Sequence, residues 1–216
     1  MKRTRPNAPS RAGSGTVRII GGRWRGTRLP VADAEGLRPT PDRVRETLFN
    51  WLQPVLPGAR VLDLFAGSGA LGLEALSRGA REALLVERDP ALAEALRQVV
   101  CRLHAGDEAT VARADVLALL RAPLHGRFDV VFLDPPFAAG LWAEVLRLLP
   151  PWLADDAWLY LEAPAGSAPE AGPGWVLHRE GSTRDVHYLL HRRAGRGATA
   201  AATLPASTGS DETPSQ

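Results

Sequence analysis

The chain has 216 residues, an ordinary hydrophobic share of 45% and a net charge of +2, enough for one domain with a core of normal size and small appendages. A single cysteine, Cys101, excludes an internal disulfide framework and a cysteine-based zinc site, and no metal site is expected. No apolar run reaches the roughly 18 residues that a membrane-crossing helix needs.

The N-terminus is basic without a following apolar segment, so it does not read as a secretory signal, and a cytoplasmic location is expected. Charge is uneven along the chain. Residues 1–45 hold 11 Lys/Arg and 3 Asp/Glu, against 15 and 21 in the remainder. A cationic first part on a mildly acidic body points to a polyanionic partner for that part.

Residues 1–16 are rich in Pro, Ser, Gly and Arg and read as a disordered basic tail. Segments 17–20 and 24–29 flank Gly21-Gly22, which predicts a hairpin with glycine at turn positions that need positive φ. That hairpin would carry Arg18, Arg23, Arg25 and Arg28, with Trp24 able to stack or pack. Thr40 is placed to cap a helix with Pro41 at its first position. The helix would run through Leu48-Phe49-Asn50-Trp51-Leu52 and stop before Pro54.

From Arg60 the pattern alternates. Strands are predicted over 61–65, 83–87, 109–112, 128–133 and 157–162, and helices over 70–78, 90–103, 116–120 and 142–149. Cys101 lies between Val99-Val100 and Leu103, where a buried structural thiol is expected. Segments 175–179 and 185–191 read as a terminal hairpin. Residues 193–216 form a second low-complexity tail. The alternation predicts an α/β fold: a Rossmann-like, doubly wound parallel sheet with helices on both faces, a C-terminal antiparallel hairpin and an N-terminal basic hairpin extension. The divisions are 1–16 (tail), 17–45 (hairpin and linker), 46–192 (main domain) and 193–216 (tail).

Two motifs carry chemistry. Asp134-Pro135-Pro136-Phe137 ends an apolar strand, and two prolines force a turn there. In open α/β sheets ligands bind at the carboxyl ends of strands. A carboxylate and a neighbouring proline carbonyl can accept both hydrogens of an exocyclic NH2 group, and the ring can stack on the base that carries it. An acidic cap with prolines ending a strand is the simpler alternative.

Gly67-Ser68-Gly69-Ala70-Leu71-Gly72 matches G-x-G-x-x-G between a strand and a helix. On its own it would fit a dinucleotide with its pyrophosphate on the helix N-terminus. Asp63, four residues before Gly67, argues against that, because a carboxylate repels pyrophosphate and suits the α-ammonium of S-adenosylmethionine. No His, Lys or Tyr is arranged for hydride chemistry. Glu87 at the end of the second strand could take ribose hydroxyls. Asp115 could accept from an adenine amino group, cap the helix that follows, or do both.

Asp63-Leu64-Phe65-Ala66-Gly67-Ser68-Gly69-Ala70-Leu71-Gly72-Leu73-Glu74-Ala75, with Asp134-Pro135-Pro136-Phe137, resembles class I S-adenosylmethionine methyltransferases acting on exocyclic amines. Arg18-Ile19-Ile20-Gly21-Gly22, Arg38-Pro39-Thr40, Asp42-Arg43-Val44-Arg45-Glu46 and Leu48-Phe49-Asn50-Trp51-Leu52 closely resemble the RsmD-type enzymes, which methylate the exocyclic N2 of a guanine in 16S ribosomal RNA. The likeness spans about residues 17–192. It implies S-adenosylmethionine as cofactor, bound by Asp63, Phe65, Ala66, Gly67, Ser68, Gly69, Glu87, Arg88 and Asp115. It implies Asp134, Pro135, Pro136 and Phe137 as catalytic residues. Arg18, Arg23, Trp24, Arg25, Arg28, Arg38, Thr40, Arg43 and Arg45 would contact RNA, although Arg43 and Arg45 could instead be internal salt-bridge partners of the pocket. The expected partner is 16S ribosomal RNA within a partly assembled small subunit, engaged by a monomer. One departure is Gly181-Ser182-Thr183-Arg184-Asp185, which intervenes before Val186-His187-Tyr188. The competing functions are DNA adenine-N6 or protein glutamine methylation, and RNA binding without catalysis on the same scaffold.

Overall fold

The computed structural model describes residues 15–31, 41–167 and 169–194. Two short strands, β1 (Thr16–Arg18) and β2 (Arg28–Pro30), pair antiparallel as a separate ribbon with Val17 opposite Leu29. Helix α1 (Asp42–Leu52) follows. The main domain then runs β3 (Arg60–Asp63), α2 (Ala70–Ser77), β4 (Glu82–Glu87), α3 (Pro90–Arg102), β5 (Ala109–Arg113), α4 (Val116–Leu120), β6 (Phe128–Leu133), α5 (Trp142–Leu148), β7 (Leu153–Pro164), β8 (Trp175–Ser182) and β9 (Val186–Arg193).

β3 to β9 form one seven-stranded sheet in the order β5-β4-β3-β6-β7-β9-β8. The first five positions are parallel; β9 alone is reversed, pairing antiparallel with β7 on one side and β8 on the other. The inner parallel strands β4, β3 and β6 are buried on both faces, as crossover helices require. Along β6, Val130 and Phe132 enter the core under α1, α2 and α3, while Val131 and Leu133 enter the core under α4 and α5. β3 lies between β4, which follows it in sequence, and β6, which comes much later. This strand-order reversal opens a crevice at the carboxyl ends of β3 and β6. Among the described residues, no helix is long and apolar enough to cross a membrane.

Several sequence expectations shift. β3 ends at Asp63, so Phe65 belongs to the loop, and β7 begins four residues earlier than its apolar run, at Leu153 opposite Phe128. Pro41 is extended (φ −54°, ψ 143°) and occupies the cap position itself, its carbonyl accepting from the Val44 and Arg45 amides. Thr40 and Arg38 lie outside the described residues, as do residues 1–14 and 195–216 of the two tails. The boundary read between residues 45 and 46 falls inside α1. Cys101 is exposed: α3 buries Ala93, Leu96, Val99 and Val100, and position 101 turns off that stripe.

The N-terminal hairpin is not closed by a tight Gly-Gly turn. The Ile19 amide bonds the Thr27 carbonyl and the Gly26 amide bonds the Ile19 carbonyl, so the loop spans residues 20–26. Gly21 and Gly22 instead press against α2. A Cβ on Gly22, at φ +73°, would lie 1.8 Å from the Ser77 carbonyl oxygen. The C-terminal hairpin is closed by Thr183, whose amide bonds the Val186 carbonyl at 2.8 Å and whose hydroxyl accepts the Val186 amide at 3.1 Å. Gly181 stands opposite Tyr188, where a Cβ would meet the phenol at 2.4 Å.

Candidate active site

The crevice is built from the residues that end the central strands. Asp63 pairs across the sheet with Phe132 and is only 3% exposed. Its Oδ2 accepts the Gly72 amide of α2 at 3.0 Å. Burial, with a contribution from the Glu87 charge, pushes its carboxyl up to about 7, although the Gly72 and Phe65 amides pull the other way. A buried acid so close to neutrality gains from a cation placed beside it.

The glycine loop is tightly folded. Gly67 and Gly69 have φ of +50° and +78°. A Cβ on Gly69 would meet Leu96 at 2.6 Å and Leu73 at 2.9 Å, so only glycine allows the chain to pass into α2 there. The Gly69 amide bonds the Ala66 carbonyl at 2.7 Å and the Ala66 amide bonds the Val86 carbonyl at 2.9 Å, anchoring the loop to β4. Glu87, ending β4, accepts the Gly67 amide at 3.0 Å and the Asp89 amide at 2.8 Å. Ser68 is half-buried, Phe65 packs partly on the α4–α5 core, and Arg88 is exposed. Asp115 caps α4, its Oδ1 accepting the Ala118 amide at 3.0 Å, and remains exposed beside the loop after β5. The donor set is therefore acidic along this edge. It fits an ammonium group and a ribose diol and does not fit a pyrophosphate.

On the other side of the crevice β6 delivers Asp134-Pro135-Pro136. Pro135 is buried, and Asp134 is half-buried. Phe137 opens a 3-10 turn (Phe137–Ala139) closed by the Ala139 amide on the Pro136 carbonyl and by Gly140 at φ +59°. Its ring is 38% exposed and lies 6.2 Å from the Trp142 ring, whose Nε1 donates to the Glu162 carbonyl at 3.0 Å. The aromatic face is thus backed by α5 and tied to β7.

β7 adds a pair within a segment that the sequence pattern marks only as strand. The Tyr160 hydroxyl donates to the Glu162 carboxylate at 2.8 Å, with both residues buried. Burial and the charges of Glu162 and Asp134 hold the Tyr160 phenol well above its ordinary range. The signal was present: Tyr160-x-Glu162 at the carboxyl end of a period-2 strand puts both side chains on one face. Tyr188, opposite Glu162 on β9, stacks on Trp51 of α1 at 5.6 Å.

The residues expected at RNA divide into three groups. Arg25, Arg28 and Arg43 are exposed, and Arg18 is exposed while paired with Asp42 at 3.1 Å. Arg23 pairs with Glu108 and stacks 4.1 Å over Trp24, which itself packs on the core. Arg45 is the correction. Its guanidinium is fully buried, and Nη2 donates to the Arg18 carbonyl at 2.9 Å and to Asp42 at 2.6 Å. A guanidinium enclosed this way is an internal tie between α1 and β1 and presents nothing to a phosphate.

The family model described as "Conserved hypothetical protein 95" matches residues 17–192. The chain is 49% identical over 192 residues to the Ribosomal RNA small subunit methyltransferase D of Escherichia coli (strain K12), covering 88% of this chain and 96% of that one. The chain belongs to the RsmD family. The Haemophilus influenzae protein of the same name is 44% identical over 191 residues, covering 87% and 96%. The solved structure of yhhF from Escherichia coli is 47% identical with a TM-score of 0.76, covering 83% of this chain and 98% of that one. The fold is that of the class I methyltransferases, and the chain is a methyltransferase, as its family membership implies.

Proposed function

We propose that this chain transfers the methyl group of S-adenosylmethionine to the exocyclic N2 of a guanine in 16S ribosomal RNA. It would act as a monomer in the cytoplasm, on a partly assembled small subunit. One observation carries the reading: the Asp134-Pro135-Pro136-Phe137 turn and the Asp63/Gly67–Gly69 loop end adjacent strands at the point where the sheet order reverses.

S-adenosylmethionine, when bound, would supply a methyl group carried on a sulfonium sulfur, which leaves as a neutral thioether. The residues that would hold it are Asp63 at the α-ammonium, the loop from Phe65 to Gly69 along the amino-acid portion, Glu87 at the ribose hydroxyls with Arg88 beside it, and Asp115 at the adenine amino group. On the opposite wall the Asp134 carboxylate and the Pro135 carbonyl each accept one hydrogen of the guanine amine. This matters because the N2 lone pair is delocalised into the ring. Two acceptors favour a pyramidal nitrogen with its lone pair free for attack, and Pro136 fixes the turn that aims them. Phe137 stacks on the base. Positioning and complementarity to the developing positive charge supply most of the rate. Asp134 need not be a strong base, because the proton can leave after transfer.

A paired base cannot reach this turn, so the target is unpaired or flipped out. Arg18, Arg23, Arg25, Arg28 and Arg43 would meet its phosphates, with Trp24 supporting Arg23. Residues 17–45 would then serve as the RNA-contacting part and 46–192 as the catalytic part. The four residues of the turn would grip adenine or glutamine as well; guanine is the base that the RsmD likeness implies. Incubating the chain with methyl-labelled cofactor, free 16S RNA and partly assembled subunits, then digesting to nucleosides, tests this. N2-methylguanosine is expected. Label in N6-methyladenosine, or in protein alone, would overturn the reading.

A further inference from the structure

Glu74 takes no part in the two walls of the crevice, yet it is fully buried with several charged and polar groups converging on it. Its carboxylate accepts the Ile20 amide at 2.6 Å and the Gly21 amide at 2.7 Å. Arg78 Nε donates to it at 2.7 Å, and Arg45 Nη1 stands 4.0 Å away. One turn further along α2, Ser77 completes the contact. Its hydroxyl donates to the Gly21 carbonyl at 2.6 Å and accepts the Trp24 amide at 2.9 Å, while its carbonyl accepts the Arg23 amide at 2.9 Å.

The arginine loop is therefore gripped by its own backbone, amide by amide, and the glycines at 21 and 22 are there to permit that approach. A Cβ on Gly21 would strike the Arg78 guanidinium at 2.6 Å, and one on Gly22 the Ser77 backbone at 1.8 Å. The gripping helix is the same one that leaves the glycine loop and whose Gly72 amide bonds Asp63. α2 is thus a short rigid rod with the cofactor loop at one end and the arginine loop docked along its other end.

We infer that Glu74 is a positioning residue for methyl transfer. It fixes the arginine ribbon at a set distance from the cofactor loop, so that phosphates held by the ribbon deliver the target base to Asp134. A misplacement of about 1 Å in such a constellation lowers the rate by orders of magnitude. The inference rests on the reading of the ribbon as an RNA-contacting element.

The test uses the full chain with Glu74→Gln, which turns one acceptor into a donor facing the Ile20 and Gly21 amides. A second variant, Gly22→Ala, alters an exposed residue and pushes the loop off Ser77 while leaving the Glu74 carboxylate unchanged. For each, amide exchange over residues 19–26, affinity for S-adenosylmethionine, and kcat and KM for small-subunit RNA are measured. The expected result is faster exchange at 19–26, unchanged cofactor affinity, and kcat/KM for RNA lower by about tenfold or more. Wild-type methylation in a variant with accelerated exchange overturns the inference. So does a loss of cofactor affinity in parallel with activity, which would mark a purely structural role. Arg25→Glu/Arg28→Glu separates the two readings. Unchanged RNA affinity in that variant removes the ribbon from RNA contact altogether. Lowered RNA affinity there, beside normal methylation by Gly22→Ala with its loop loosened, overturns the positioning role alone.

Discussion

The Tyr160 hydroxyl donates at 2.8 Å to a Glu162 carboxylate that is only 3% exposed, beside the turn that carries Asp134. The strand behind the Asp134 turn therefore carries a buried acid of its own. A buried carboxylate stays ionised only while donors satisfy it, and each lost donor exposes its full desolvation penalty. Tyr160→Phe removes one donor and leaves the volume intact. The expected outcome is a loss of about 1–3 kcal/mol of stability, read from urea unfolding midpoints, with cofactor affinity preserved. A midpoint equal to that of the parent chain would show that Glu162 has no need of the phenol.

Asp134→Ala keeps the strand and the prolines but removes one of the two acceptors proposed for the amine. The residues proposed to hold the cofactor follow β3, β4 and β5, so affinity for S-adenosylmethionine should be unchanged. Turnover should fall by about 10²–10³-fold. Calorimetric titration alongside single-turnover methylation checks both halves. Cofactor affinity lost together with activity would contradict the division of the crevice into two walls.

Elements whose local signals agree with the fold were legible. β6 and α4 match their predicted bounds because an apolar run and an acidic residue at the cap position agree locally with the fold. The Asp134 turn was legible because two prolines leave the chain no choice. What failed was decided by docking. Gly21-Gly22 satisfies a hairpin pattern, but its real constraint is the backbone of α2, far away in sequence. The start of β7 contains Asp155-Asp156, which looks like a turn and sits in an irregularity between the Leu153–Phe128 and Trp158–Val130 pairs that hold both sides of it in the sheet. Arg45 was readable in principle. It lies on the same stripe as Val44, Leu48, Phe49 and Leu52, which α1 buries, and a charge on a buried stripe announces an internal partner. Glu74, within the motif that defines the family likeness, has one local partner, Arg78 at i+4, which reads as an ordinary helix-surface pair; its docking role comes from residues 20, 21 and 45, far away in sequence.

Arg43 and Arg45 stand two positions apart on one helix and should behave oppositely. Arg45→Met strips a buried cation from between Asp42, the Arg18 carbonyl and Glu74, and stability should fall by about 3 kcal/mol. Arg43→Glu alters an exposed residue and should leave unfolding unchanged. Its effect should appear in RNA affinity, with the slope of log affinity against log salt reduced by about one. Thermal unfolding and binding measured over a salt series distinguish the two. Equal effects on RNA binding at constant stability would return Arg45 to the RNA surface.

Asp63 makes the chain sensitive to pH in a definite direction. Its carboxyl is raised from an ordinary 3.8 to about 7, first by burial. In that interval the folded chain holds a proton that the unfolded chain has lost. The stability due to this proton is complete below about pH 4 and is lost as pH rises through about 7. The contribution is about 4 kcal/mol. Asp63→Asn cannot titrate, so the difference in unfolding free energy between parent and variant should shift toward the variant across this window and stay constant above it. A cationic cofactor group reverses the preference, because it favours the ionised acid. Cofactor binding by the parent chain near pH 6.5 should therefore release a proton, seen as a dependence of the calorimetric enthalpy on the ionisation enthalpy of the buffer, and its affinity should rise toward pH 7.5. Asp63→Asn should bind more weakly and show neither effect from this site. Proton release identical in parent and variant would place the cofactor's ammonium group elsewhere.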